Sequence, residues 1–378
     1  MGGADPMRRA IWYWVFAGVL VVGFCFGCRD ESPVKIGLLT STSGRVADSG
    51  ISGYDAAQLA VEQCNQAGGI SGRKVQLLVR DDRGEPEAGR RALRELLAAG
   101  VTAVIGPMTS DMALAVTPIA NEVKVLLMSP TATTEALSGQ KDYFFRVAST
   151  TRTYATKTAD FIINSRHKHR IAVIYDLNNR SFALNWIENF KQRLTALRGE
   201  LITTAGFSAQ GEVTFLEIVE KVLTTGPDGI VIVANSMDSA LFCQQIRKRD
   251  ASVEITLSDW GATERLLELG GKAVEGVTVV QAFDRRSQNQ RYQAFRKIYT
   301  ERYHREPGFP GVNTYDAAQV ILAALNAQKG DQSLCDTVLG MKTFEGLQSN
   351  FSFDPFGDAR RPLVSISIVQ NRQFVVLE

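Results

Sequence analysis

The sequence predicts an α/β protein of two doubly wound domains. From Val34 onward, short apolar β-rich runs alternate with longer stretches of helical period, and the alternation starts afresh after Phe145, Arg146 and Val147. A chain of 378 residues holds about two domains at roughly 100–200 residues each. One open sheet rarely exceeds about ten strands, so two sheets, each covered by helices, are the better packing solution.

In the first domain the expected strands are residues 34–39, 75–79, 103–105 and 125–128. Between them Ala56, Leu59, Ala60, Gln63 and Cys64 share one helical face, and Ala92, Leu93, Leu96 and Leu97 share another. Strands at 170–175, 201–205, 229–233 and 254–257, separated by helical patterns, make the second domain. Helices dominate 290–341, after which 364–369 and 374–377 return to strand-like alternation around Gln370, Asn371 and Arg372. No repeat, low-complexity tract or heptad run is visible, which excludes solenoids and coiled coils.

Lys and Arg total 42 against 40 Asp and Glu, interspersed along the chain, so no electrostatic footprint for nucleic acid exists. The amino terminus stands apart. Arg8 and Arg9 precede an apolar stretch over 10–27, and past Cys28 the chain turns polar with Arg29, Asp30, Glu31 and Ser32. This pattern reads as a lipoprotein signal over 7–28, cut before Cys28, whose thiol then carries a lipid anchor. Gly27 fits that reading, while Cys25 stands where such signals usually carry leucine; an uncleaved membrane anchor is the alternative. Cys64, Cys243 and Cys335 lie in helical patterns beside apolar residues and are expected as free thiols in the core.

Catalytic constellations are missing. His167 and His169 share the basic segment 166–170, His304 lies among Arg302, Tyr303 and Arg305, and neither grouping has the spacing of a metal set. No nucleophile elbow, phosphate-binding loop or dinucleotide fingerprint occurs, so the sequence points away from an enzyme and no cofactor is expected. The strand ends carry hydroxyls instead: Thr40-Ser41-Thr42-Ser43-Gly44, Met108-Thr109-Ser110-Asp111 and Ser129-Pro130-Thr131-Ala132-Thr133-Thr134. Ser and Thr are also ordinary helix caps. Three such loops at successive strand ends point to a ligand site, because open α/β sheets bind ligands at the carboxyl ends of their strands.

Read in order, Val34-Lys-Ile-Gly-Leu-Leu-Thr-Ser-Thr-Ser-Gly44, Asn65-Gln-Ala-Gly-Gly-Ile-Ser-Gly-Arg-Lys74, Val104-Ile-Gly-Pro107, Met128-Ser-Pro-Thr-Ala-Thr133 and Asn313-Thr-Tyr-Asp-Ala-Ala318 resemble the leucine/isoleucine/valine-binding family of periplasmic binding proteins, with the type I fold. The resemblance covers essentially everything after Cys28. It implies two lobes joined by a three-segment hinge, one of 33–148 with 281–352 and the other of 149–280 with 353–378. It further implies a monomeric solute-binding protein of an ABC transporter, in the periplasm or at the cell surface. Its partners would be a small amino acid or related carboxylate held between closing lobes, and a membrane permease. A ligand sensor of the same fold, reporting to a receptor or regulator, is the other function the resemblance allows.

Carried onto this chain, the family pattern implies that Ser110 and Thr133 hold a carboxylate and that the Thr131 carbonyl takes an ammonium, with Ser43 of the first hydroxyl loop in the same set. The second lobe departs from the branched-chain pattern. Ser49, Arg180 and Asn235 stand where that group has aromatics, and Trp260 stands at its ammonium-pairing acid, with Asp259 adjacent. Either Asp259 supplies the carboxylate through a one-residue shift or the ligand lacks an ammonium. Arg180 in the cleft would meet a second carboxylate in bidentate fashion. Trp260 would form an apolar wall or lid, and together these departures favour a polar, acidic or aromatic ligand over a leucine-like one.

Overall fold

The computed structural model describes residues 32–209, 211–362 and 364–377, so the expected signal and Cys28 lie outside the described residues. The first lobe begins with β1 (Val34–Thr40), α1 (Ala47–Gln66), β2 (Val75–Asp81), α2 (Pro86–Ala98), β3 (Ala103–Ile105), α3 (Ser110–Val123), β4 (Leu126–Ser129) and β5 (Phe144–Arg146). The second lobe follows with α4 (Thr151–Asp160), β6 (Arg170–Asp176), α5 (Arg180–Ala196), β7 (Glu200–Phe207) and α6 (Phe215–Leu223). It continues through β8 (Gly229–Val233), α7 (Ser236–Arg249), β9 (Glu254–Leu257), α8 (Glu264–Gly270) and β10 (Thr278–Gln281). The chain then returns to the first lobe with α9 (Gln290–Tyr303), α10 (Gly308–Ala327) and α11 (Leu334–Gly340). A small sheet of β11 (Phe344–Glu345), β12 (Asn350–Phe353) and β13 (Ala359–Arg360) precedes a last crossing to β14 (Ser365–Gln370) and β15 (Gln373–Val376).

The first lobe's sheet runs β2-β1-β3-β4-β5 and is parallel throughout; the second runs β15-β14-β10-β9-β8-β6-β7, with β14 and β15 antiparallel. Both central sheets are buried on two faces, which is why their inner strands read as unbroken apolar runs. Side chains alternate across a strand, so Ile36 and Leu38 enter one core cluster and Leu39 the other, just as Ala103 and Ile105 oppose Val104. Helices α1 and α10 cover the first face through Ala57, Ala60, Val61, Ala317, Val320 and Ile321. Helices α2 and α3 cover the second through Leu93, Leu96, Met112 and Val116. The late α10 therefore closes a core begun some 260 residues earlier in the chain, as the positions of Ala57 and Ala317 show.

The sequence pattern does not reveal β5 or β10. At 3 and 4 residues they are no shorter than β3 and β4, which the pattern does reveal, so length alone does not account for the difference. The expected strand at 201–205 is the outermost of its sheet, β7, and is half-exposed. The three cysteines among the described residues are free; Cys243 and Cys335 are buried, while Cys64 is only half-buried.

Where the chain first leaves the β1–β5 sheet, Arg146 is fully buried. Its Nε donates to Asp358 Oδ1 at 2.6 Å, one terminal nitrogen to the carbonyl of Thr134 at 2.7 Å, and the other to Ser138 Oγ at 2.6 Å. The Arg146 backbone N–H also reaches the Gly357 carbonyl at 3.0 Å. Beside it Arg361 pairs with buried Asp316 at 2.7 Å and donates to the Val147 carbonyl. Breaking a buried pair strands the remaining charge. The Asp358→Ala protein is therefore expected to lose about 3–5 kcal/mol of unfolding free energy, read from the midpoint and slope of urea denaturation.

Candidate functional site

The carboxyl ends of the two sheets face one another across a cleft in which two small chambers share Thr131, Asp259 and Phe309 as walls. The outer chamber gathers Ser41, Ser49, Ser110 and Asn179 with the apolar Val46, Met108, Phe182 and Trp260. The inner chamber adds Thr133, Tyr154, Gln281 and Asn313, close to the crossing residues Ala148 and Ala282. Among the described residues, no lysine, arginine or histidine lines either chamber.

Three helix amino termini converge on the outer chamber. Ser49 lies in the first turn of α1, Ser110 begins α3, and Asn179 directly precedes α5. Such ends present unpaired N–H groups and a partial positive charge. Ser41 is held by a hydrogen bond from its hydroxyl to Asp82 at 2.5 Å, within a buried setting that raises the Asp82 pKa. Helix α1 passes so close to that loop that a Cβ at Gly50 would fall 1.7 Å from the Ser41 carbonyl oxygen, which requires glycine there and brings Ser49 to the cleft.

The grip loop after β4 is tied to α3. The buried Ser110 hydroxyl accepts the N–H groups of Thr133 at 3.3 Å and Thr134 at 3.2 Å, leaving its own proton to be donated. Thr131 Oγ1 donates to the Met108 carbonyl at 2.5 Å, and Thr133 Oγ1 accepts from Thr151 Oγ1 at 3.0 Å.

Opposite stands Asp259, in a single helical turn after β9. Its Oδ1 is buried without a hydrogen-bond partner among the described residues, as is the Trp186 indole nitrogen. Burial pushes the Asp259 carboxyl up to about 7, and its own backbone N–H and the nearby Trp186 offset only part of that rise. Trp260 packs edge-on to Phe182, ring centroids 5.5 Å apart, and forms an apolar wall.

Polar contacts close both rims. On one, Arg45 pairs with buried Asp238, while Asp48 accepts from Ser236 Oγ at 2.8 Å and Thr263 Oγ1 at 2.6 Å. On the other, Glu135 accepts from Asn189 at 2.7 Å and Arg152 at 2.7 Å, and its N–H meets Asn185 Oδ1 at 3.0 Å.

Of the residues expected from sequence, Ser110, Thr131, Thr133, Asp259 and Trp260 lie in the chamber walls, and Ser43, Arg180 and Asn235 do not. Ser43 is exposed and donates to Asp81 at 2.7 Å. Arg180 is the first residue of α5, its side chain is exposed, and the cleft position falls to Asn179. Asn235 caps α7, accepting the Asp238 N–H at 3.0 Å and donating to that carboxylate at 2.5 Å. Phe182, Phe309, Tyr154 and Gln281 were not foreseen. Asn313 belongs to a stretch that carried the family resemblance, but without an assigned role.

Comparison with known proteins agrees with this architecture. The family model described as "Periplasmic binding protein" matches residues 33–370. The chain is 26% identical to the "Leu/Ile/Val-binding protein homolog 3" of Brucella melitensis over 348 residues, covering 88% of this chain and 93% of that protein. Its fold is similar to the branched-chain amino acid transporter substrate-binding protein LivJ of Streptococcus pneumoniae, solved with isoleucine, at a TM-score of 0.84, 23% identity and coverage of 91% and 98%. It is equally similar to an ABC transporter solute-binding protein of R. palustris solved with benzoate, at a TM-score of 0.83, 19% identity and coverage of 92% and 96%. The chain belongs to the periplasmic binding protein family, as a type I member of the leucine/isoleucine/valine-binding kind.

Proposed function

We propose that this protein is the extracytoplasmic solute-binding protein of an ABC transporter, held at the membrane through Cys28, and that its lobes close on a small α-amino acid with an uncharged side chain. One observation carries the ligand class: a buried carboxyl at Asp259, whose Oδ1 has no hydrogen-bond partner among the described residues, lies across the cleft from hydroxyls and helix amino termini, and no described cationic side chain lines the chambers. The helix ends and the Ser110 and Thr133 hydroxyls suit a carboxylate. Asp259 and the Thr131 carbonyl suit an ammonium. Val46, Met108, Phe182, Trp260 and Phe309 suit an aliphatic or aromatic side chain. A second carboxylate has no partner here, because Arg180 stands outside. The benzoate-bound relative shows that this fold also takes aromatic acids, so the decisive comparison is between each amino acid and its analogue lacking the amine.

Titration calorimetry on ligand-stripped protein at pH 8 is expected to show binding of at least one neutral amino acid and at least tenfold weaker binding of its desamino analogue. Equal affinities, or no binding across the panel, would refute the assignment. Ser110→Ala and Thr133→Val are each expected to cost about 1.5–3 kcal/mol of binding free energy, the usual size for a hydrogen bond to a charged group.

The Asp259 carboxyl sets two pH dependences. Affinity for an ammonium-bearing ligand should rise as pH climbs through about 7, where the group ionises, and Asp259→Asn should flatten that rise. Without ligand the folded chain keeps the Asp259 proton to a higher pH than the unfolded chain does. Stability should therefore fall as pH rises from the ordinary carboxylate range toward about 7. Asp176, raised to about 6 mainly by burial, adds to the fall with the same sign. Thermal melts of the parent and Asp259→Asn proteins between pH 4.5 and 8 should separate the two contributions.

A further inference from the structure

Helices α3 and α5 belong to opposite lobes, and their amino termini meet at the rim of the cleft. The Asp111 carboxylate, in the first turn of α3, accepts the N–H of Arg180 at 2.8 Å and of Ser181 at 2.8 Å, and also the Ser181 hydroxyl. In return Asn179 Oδ1 accepts the N–H of Asp111 at 3.1 Å. Each helix thus has its first turn capped by a side chain from the other lobe. Asn179 makes no side-chain cap to its own helix, and neither does Thr109 to α3.

Two helix amino termini placed together repel, since both carry partial positive charge. A carboxylate between them turns that repulsion into attraction, and its hydrogen bonds are of the strong, charge-assisted kind. The contact continues along α5, where Ser181, Asn185 and Asn189 recur every fourth residue and face Asp111 and Glu135 of the first lobe. When the lobes part, the α5 N–H groups lose their cap to water.

We infer that Asp111 and Asn179 form a reciprocal capping latch that sets the balance between closed and open lobes. The latch adjoins the ligand site on both sides, since Ser110 precedes Asp111 and Asn179 itself lines the cleft. Asp111 is a positioning residue: it does not line either chamber. The inference rests on the hinge-closing reading above and adds the interaction that holds closure.

Pulsed electron-electron resonance between spin labels at the exposed Glu122 and Lys191, with the half-buried Cys64 replaced by serine, reads the lobe separation. It is run on ligand-stripped protein and again with a mixture of the twenty standard amino acids. Asp111→Ala is expected to lower the closed-to-open ratio about tenfold, the effect of losing a strong helix cap, in at least one of the two conditions. Asp111→Asn, which keeps one acceptor oxygen, should fall between. Arg180→Ala, which keeps the backbone N–H, should match the parent. Identical distance distributions for Asp111→Ala and the parent in both conditions would overturn the latch. If those distributions match and both respond to the amino acids, the latch fails while the ligand assignment stands. If Asp111→Ala opens the lobes but the parent ignores the amino acids, the latch stands and the ligand assignment fails.

Discussion

The Arg146 guanidinium is the interaction on which the two-lobed arrangement turns. A fully buried charge is tolerated only when its hydrogen-bonding capacity is met, and here the partners come from separate stretches of chain: Thr134 and Ser138 from the grip loop, and Asp358 from the approach to the last crossing. Neither stretch can settle until the other is in place. The edge of the first sheet, the loop bearing Thr131 and Thr133, and the return of the chain toward β14 are thereby fixed as one unit. The adjoining Arg361–Asp316 pair, 5% and 2% exposed, repeats the device one strand away. Its burial is deep enough that desolvation raises the Asp316 pKa even beside a guanidinium.

The arginines nearest the cleft thus stand at the crossing and on the rims, while the chambers use partial charge from helix ends. The division has a physical reason. An arginine or lysine in so small a space would reach Asp259 and neutralise it, removing the site for an ammonium. A helix amino terminus attracts a carboxylate about as usefully, yet it is part of a rigid element and cannot swing across to the acid. Ser49, Ser110 and Asn179 can therefore face Asp259 without collapsing onto it.

The doubly wound fold was legible because unbroken apolar strands and amphipathic helices answer to local periodicity. The hydroxyl loops were legible because they sit at strand ends, and Ser110, Thr131 and Thr133 do line the cleft. The cleft-facing residue at the start of α5 was not. Asn179 is the last residue before α5 and Arg180 its first, and that one-residue step separates cleft from solvent. Asn235 illustrates a second limit: its position fits a binding role as well as a capping role, and only the Asp238 contact decides between them. Phe309 and Gln281 reach the site from distant elements, which no local pattern reports.

The contacts across the cleft differ in kind from those within each lobe. Inside, buried aliphatic and aromatic side chains hold the sheets between their helices, and exposing them to water would cost about 25 cal/mol for each Å². Across the rims, Asp48, Asp111, Glu135 and Arg45 meet hydroxyls, amides, backbone N–H groups, one guanidinium and one carboxylate. Water replaces such partners at a net cost of about 1.5–3 kcal/mol for each hydrogen bond to a charged group. The lobes can therefore separate without either core opening, and the equilibrium lies within reach of a small ligand's binding energy. An apolar interlobe surface of the same extent would hold the cleft shut whether or not a solute had entered.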